Sequence, residues 1–199
     1  VNTLQDFSWI IDQINKGSIN LDTIRIESNL AVRDGLFKEI LDSFNEQPIK
    51  VFQIGAIESL ENKFRIGSGW SDLFFGVYIK KYGGTLVVVD ICLNHIANSS
   101  FVSSQIGYET NFIFGDANNF ISTGYDIYYL DGADISYAED AYEQTLSQFK
   151  KIEGTNSVVL VDDAPSKGKA LLDYLKQKNI PYTYHNFGSG MIKIDMRSK

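Results

Sequence analysis

Two textures of hydrophobic pattern alternate along the chain. Short runs rich in Val, Ile, Tyr and Phe, at residues 51–55, 85–91, 111–114, 125–130 and 157–161, are apolar nearly throughout. Runs of that length and composition, without polar alternation, predict strands buried on both faces. Between them, apolar side chains recur at helical spacing: Leu73, Val77 and Tyr78; Ile96 to Gln105; Ala141, Thr145, Leu146 and Phe149; Ala170, Leu171, Tyr174 and Leu175. Spacings of three and four put these groups on one side of a helix. Buried strands, each followed by a helix, predict a parallel sheet covered on both faces by its own crossovers.

The two ends break this rhythm. Residues 7–14 and 32–44 have helical patterns, the second with Leu36, Ile40, Leu41 and Phe44 on one stripe, and residues 24–28 hold the one strand-like run before position 48. Residues 1–48 are therefore expected to form a helical N-terminal cap on a core at 49–199. After Lys178 come residues 182–187, a turn at Gly188-Ser189-Gly190 and residues 191–196, two strands joined by a glycine-containing loop. That reads as a β-hairpin. The expected architecture is a single α/β domain over 1–199, doubly wound and Rossmann-like, mostly parallel with an antiparallel C-terminal hairpin. With three prolines and no Pro-, Ser- or Gly-rich stretch, no linker divides it.

Composition narrows the partners. The chain of 199 residues is long enough for a sizeable core. Lys plus Arg number 18 and Asp plus Glu 25, a formal net charge of −7. An acidic chain with scattered basic residues argues against nucleic acid and against an anionic membrane as partners held by its overall field. Its apolar runs are strand-sized, too short to cross a bilayer, and the first residues carry Asp6 without a basic run, so no secretory leader is expected. Cys92 is the single cysteine, so no internal disulfide forms. These features predict a cytoplasmic protein.

In open α/β sheets ligands sit at the carboxyl ends of the strands. The first predicted strand ends Gln53-Ile54-Gly55-Ala56, where glycine permits a tight turn and close approach of a ligand. The second ends Asp90-Ile91, the third Gly115-Asp116-Ala117, the fourth Asp131-Gly132-Ala133-Asp134 and the fifth Asp162-Asp163. A carboxylate accepts hydrogen bonds from ribose hydroxyls or an adenine amino group. One such Asp is also a common helix N-cap; successive strand ends all carrying one are harder to assign to capping alone.

This series, QIGA, VVVDI, FGDA, YDIYYLDGAD and VVLVDD, resembles the class I S-adenosylmethionine-dependent methyltransferases, and within them the small O-methyltransferases related to the catechol and caffeoyl-CoA enzymes. The resemblance covers roughly residues 48–196. It implies a seven-stranded sheet ending in the antiparallel pair, S-adenosylmethionine as cofactor and a small hydroxylated molecule as acceptor. It also implies that Gly55 and Ala56 face the cofactor's methionine part, that Asp90 with Ile91 holds the ribose, and that Asp116 with Ala117 holds the adenine. Asp131 falls at the same cofactor pocket. In the metal-dependent branch, the positions of Asp131, Asp162 and Asp163 hold a divalent cation, and three hard carboxylates suit Mg²⁺, Mn²⁺ or Ca²⁺. Enzymes of this kind often form homodimers.

The chain departs from that pattern in two places. Residues 57–66 intervene before Gly67-Ser68-Gly69-Trp70-Ser71, an insertion of about ten residues, long for a βα connection. Gly67, Ser68 and Gly69 resemble the latter half of the family's cofactor loop, and read equally as turn residues before a helix capped by Ser71. Trp70 suits stacking on a ligand or packing on that helix. Where the metal-dependent branch has a basic residue three positions after the first metal Asp, this chain has Asp134, a base or an extra ligand beside Asp131, or equally a turn residue. His185 reads as a strand histidine and His95 as helix surface or cap. Two other functions remain: a non-catalytic binding module on the same fold, and a nicotinamide-dependent oxidoreductase. The second lacks its Gly-x-Gly-x-x-Gly fingerprint after the first strand. An Asn-Pro-Pro-Tyr-like sequence of amino-methylating DNA enzymes is also lacking after the fourth.

Overall fold

A computed structural model describes residues 31–58, 70–132, 141–187 and 190–197. Its strands are β1 (Ile49–Ile54), β2 (Gly84–Asp90), β3 (Asn111–Phe114), β4 (Ile127–Leu130), β5 (Val158–Asp162), β6 (Thr183–His185) and β7 (Met191–Asp195). Its helices are α1 (Ala31–Asp42), α2 (Ser71–Tyr82), α3 (Leu93–Ile106), α4 (Ala141–Ile152) and α5 (Lys169–Lys178). The sheet runs β3-β2-β1-β4-β5-β7-β6. β1 through β5 pair in parallel, and β7 lies antiparallel to both β5 and β6. The mixed, mostly parallel seven-stranded sheet and its terminal hairpin are therefore as the sequence pattern implies.

Alternation along each strand builds two cores, because successive side chains leave a strand on opposite faces. Val51, Val88, Tyr129, Leu160 and Met191 pack with α1, α2 and α3 on one face; Phe52, Val87, Tyr128, Val161 and Ile192 pack with α4 and α5 on the other. Both faces are apolar, which is why β4 and residues 158–161 of β5 read as uninterrupted hydrophobic runs. The helix expected over 32–44 is α1, and it packs as a layer of the first core. Its Phe37 stacks on Phe74 with centroids 5.1 Å apart and reaches Tyr129 at 5.7 Å. The remainder of the expected cap, residues 1–30, lies outside the described residues.

Order of strands fixes where a ligand can sit. The chain steps outward from β1 through β2 to β3, then returns to the other side of β1 at β4. The crossovers diverge there, leaving a crevice beyond the carboxyl ends of β1 and β4, the switch point at which open α/β sheets bind ligands.

Candidate functional site

Gly55 opens this crevice. Its φ is +93°, and a Cβ placed there would lie 2.4 Å from the Asp131 carbonyl oxygen. Glycine is thus required on both counts: left-handed backbone and close approach to the next strand end. The amide of Gly55 donates to the Val89 carbonyl (2.9 Å) and that of Asp131 to the Ile54 carbonyl (3.2 Å), so the ends of β1, β2 and β4 are tied together.

Asp90 holds the next layer. Its Oδ2 accepts from the Ala56 amide at 2.8 Å, its Oδ1 from the Cys92 amide at 2.7 Å, and His95 Nδ1 lies 3.2 Å from Oδ2. A carboxylate has about four lone-pair positions; His95 and two amides leave room for a ligand donor at Oδ1. Helix α3 also straps the loop after β1. Ser99 Oγ accepts from the Ile57 amide at 2.9 Å, and Asn98 Nδ2 donates to the Ile57 and Glu58 carbonyls at 3.1 and 3.0 Å. The loop bearing Gly55 and Ala56 is therefore braced before any ligand arrives.

Along β2 and β3 the crevice edge is apolar and open. Ile91 is 70% exposed, Leu93 62%, Phe114 60% and Phe120 41%, the large hydrophobic groups that the fold leaves uncovered at these strand ends. Clustered exposed apolar surface marks a binding face rather than ordinary surface. Asp116 Oδ1 accepts from the Asn118 amide at 2.9 Å and so caps the short 3₁₀ turn Ala117–Asn119, while Ala117 is buried in the core. At this strand end the capping role is real, and it occupies one of the carboxylate's acceptor positions.

The ends of β4 and β5 differ in kind. The Lys167 ammonium stands between Asp131 Oδ1, at 2.7 Å, and Asp163 Oδ2, at 2.9 Å, with its side chain 6% exposed. Asp162 faces elsewhere: Tyr129 Oη donates to its Oδ2 at 2.5 Å and the Asp163 amide donates to its Oδ1 at 2.9 Å. Burial lifts the Asp131 carboxyl to about 6, aided by Asp162 and Asp163 and opposed by the Lys167 charge. Burial works against the Lys167 charge, but Asp131 and Asp163 outweigh it and raise the ammonium's pKa.

The expected metal set does not fit a divalent ion. Asp131 and Asp163 converge on an ammonium, and Asp162 spends an oxygen on each of two donors. Among the described residues no group of three or more His, Cys, Asp or Glu side chains is arranged to hold a metal, whereas Mg²⁺ and Ca²⁺ ask for six or more oxygens. The signal missed in the sequence was Lys167 itself, four residues after Asp163 in a turn that continues into α5.

Other expectations have definite outcomes. Gly55, Ala56, Asp90 and Asp131 are brought together; Gly67, Ser68, Gly69 and Asp134 lie outside the described residues. Trp70 is buried in the core, which selects packing over stacking on a ligand. Ser71 is the first residue of α2 rather than its cap, and Trp70 at the cap position makes no side-chain capping bond. His95 turns inward to Asp90 instead of serving as helix surface. Cys92 is half-buried. Next to α2's start, Asp72 is fully buried, and burial pushes its carboxyl up to about 7 against the opposing pull of Ser99 and the Leu73 amide.

No family model matches the chain, and no curated protein matches it. Solved structures do resemble it. The methyltransferase PaMTH1 of Podospora anserina, determined with SAH bound, superposes with a TM-score of 0.61 at 15% identity, covering 99% of this chain and 87% of that one. Magnesium protoporphyrin IX methyltransferase (ChlM) from Synechocystis PCC 6803, with bound SAM, gives 0.57 at 12% identity over 97% of each chain. A putative rRNA-methylase from Clostridium thermocellum gives 0.57 at 14%, covering 88% of this chain and 99% of that one. At such identities the likeness is one of fold, and one fold hosts many chemistries.

Proposed function

We propose that the chain is an S-adenosylmethionine-dependent methyltransferase acting on the oxygen of a small hydroxylated acceptor. The observation that carries this reading is the pairing, at one crevice, of the Asp90 carboxylate with the uncovered apolar edge of Ile91, Leu93, Phe114 and Phe120. An adenosine moiety has the matching two sides, a ribose that donates hydrogen bonds and a flat apolar base. The fold likeness to structures holding SAM or SAH supports the same choice.

In this reading Asp90 Oδ1 accepts from a ribose hydroxyl. Ile91 and the β3 end pack the base, with the Asp116–Ala117 turn at its rim. Gly55 and Ala56 let the methionine part approach the backbone. When bound, the cofactor supplies an electrophilic methyl group on a sulfonium, so the protein's task is alignment and exclusion of water. Asp131, at the β4 end against Gly55, lies between this pocket and the acceptor side. Its carboxyl, held near 6 by burial, accepts the proton that the acceptor hydroxyl loses. A net charge of −7 favours a small neutral acceptor over a nucleic acid.

The test is turnover. Purified protein with S-adenosylmethionine is offered a panel of phenols, catechols and sugar alcohols, with ribosomal RNA as a separate arm, and products are read by mass spectrometry. Methyl transfer to a small-molecule oxygen is expected. Methylation of the RNA arm alone contradicts the acceptor class; tight cofactor binding with no product in any arm favours the binding-module alternative.

A further inference from the structure

The β4–β5 cluster contains a feature that the sequence's resemblance to the metal-dependent branch does not predict. Asp131 and Asp163 meet from two adjacent strand ends, and the cation between them is a side chain of the same chain. Lys167 cannot easily leave. Its backbone is wound into the turn after β5, where the amides of Ser166 and Lys167 both donate to the Asp163 carbonyl at 2.9 Å. Gly168 follows, and a Cβ there would lie 2.8 Å from the Ala164 carbonyl oxygen and 2.7 Å from Ile192 Cδ1. Close packing of this turn onto β7 therefore holds the lysine stem beneath the carboxylates. Extracting it would bare Asp131 and leave it facing Asp162 and Asp163 without compensation.

We propose that the Lys167 ammonium is the resident cation of this site, standing where a divalent ion would otherwise sit, and that the protein takes its acceptor without a metal. Two of the three ammonium protons are engaged, by Asp131 and Asp163. That the protein has an acceptor rests on the methyltransferase reading; the exclusion of metal does not.

The experiment is a Mn²⁺ titration of the whole protein, followed by calorimetry and by the electron paramagnetic resonance of free Mn²⁺. It compares the unaltered chain, Lys167→Met, Lys167→Arg and the double variant Lys167→Met/Asp131→Asn. The unaltered chain is expected to show no saturable site tighter than about 1 mM. Lys167→Met is expected to gain one site, about tenfold tighter or better, that disappears in the double variant. Lys167→Arg, which keeps the charge, is expected to gain none. A stoichiometric Mn²⁺ site in the unaltered chain that Asp131→Asn removes would overturn the proposal, and so would a folded Lys167→Met that gains no site. Should Lys167→Met not fold, the unaltered chain and Lys167→Arg still decide, since a site in either contradicts it. S-adenosylhomocysteine binding is measured alongside: its failure counts against the methyltransferase reading and leaves the cation assignment standing.

Discussion

The two halves of the crevice use the same residue at the same strand position in opposite ways. At β2 and β3, Asp90 and Asp116 are met by backbone amides, and beside them lie large exposed apolar side chains. At β4 and β5, Asp131 and Asp163 are met by a buried ammonium and Asp162 by a tyrosine hydroxyl. The first half is braced yet open to a ligand; the second is already neutralised in part by the protein itself. A strand-end aspartate thus has no fixed meaning. Its role is set by the donor that the next loop brings to it.

The sharpest way to break this contrast is at Lys167. Lys167→Met strips the second half of its cation and is expected to lower stability by about 3 kcal/mol, the cost of a buried charge left without its partner. Adding Asp131→Asn is expected to recover much of that loss, because the uncompensated carboxylate goes with it. Urea unfolding of both single variants and the double variant measures the coupling; strictly additive losses would mean that the pair does not act as a unit.

In the first half the expected effect is smaller and falls on binding. Asp90→Ala removes one charged acceptor and is expected to weaken S-adenosylhomocysteine by about 1.5–3 kcal/mol. Because Asp90 also receives the amides of Ala56 and Cys92, Asp90→Asn serves as its control: it keeps an acceptor for one amide and should lose less. Equal affinity in all three proteins would remove the ribose contact from the account.

A third prediction concerns Asp72, behind the open half. Unfolded, its carboxyl titrates near the ordinary value of about 3.9; in the fold burial raises it to about 7. The folded state therefore binds the extra proton between these values, so stability falls as pH rises from about 4 to about 7 and levels off above. Asp131, raised to about 6, adds to the fall over the lower part of that range. Asp72→Asn is expected to flatten the slope between about pH 6 and 7 and to raise stability at about pH 8 by on the order of 2 kcal/mol. Urea midpoints across this range check it; an unchanged slope would show that the carboxylate has a compensating partner.

How much of this was legible in the sequence follows from which interactions are local. Strands β4 and β5 were readable because burial on both faces leaves them apolar up to the Asp at the end of β5, and the terminal hairpin because glycine marks its turn. The meeting of Gly55, Ala56 and Asp90 was likewise readable from strand ends. What composition and periodicity do not carry is side-chain pairing across elements. Lys167 has the spacing of a surface i, i+4 partner for Asp163, and nothing local says that Asp131, far away in sequence, lies under the same ammonium. His95 reads as helix surface until the end of β2 is brought against it. Asp116 shows the converse: its local capping role was visible from spacing alone, and the structure has it.

The most direct test of the central claim is calorimetric titration of the purified chain with S-adenosylhomocysteine, run once with Mg²⁺ and once with chelator. The account predicts one site of micromolar affinity, about −8 kcal/mol, the same in both runs and weakened in Asp90→Ala. Absence of binding in both runs by a folded protein would contradict it.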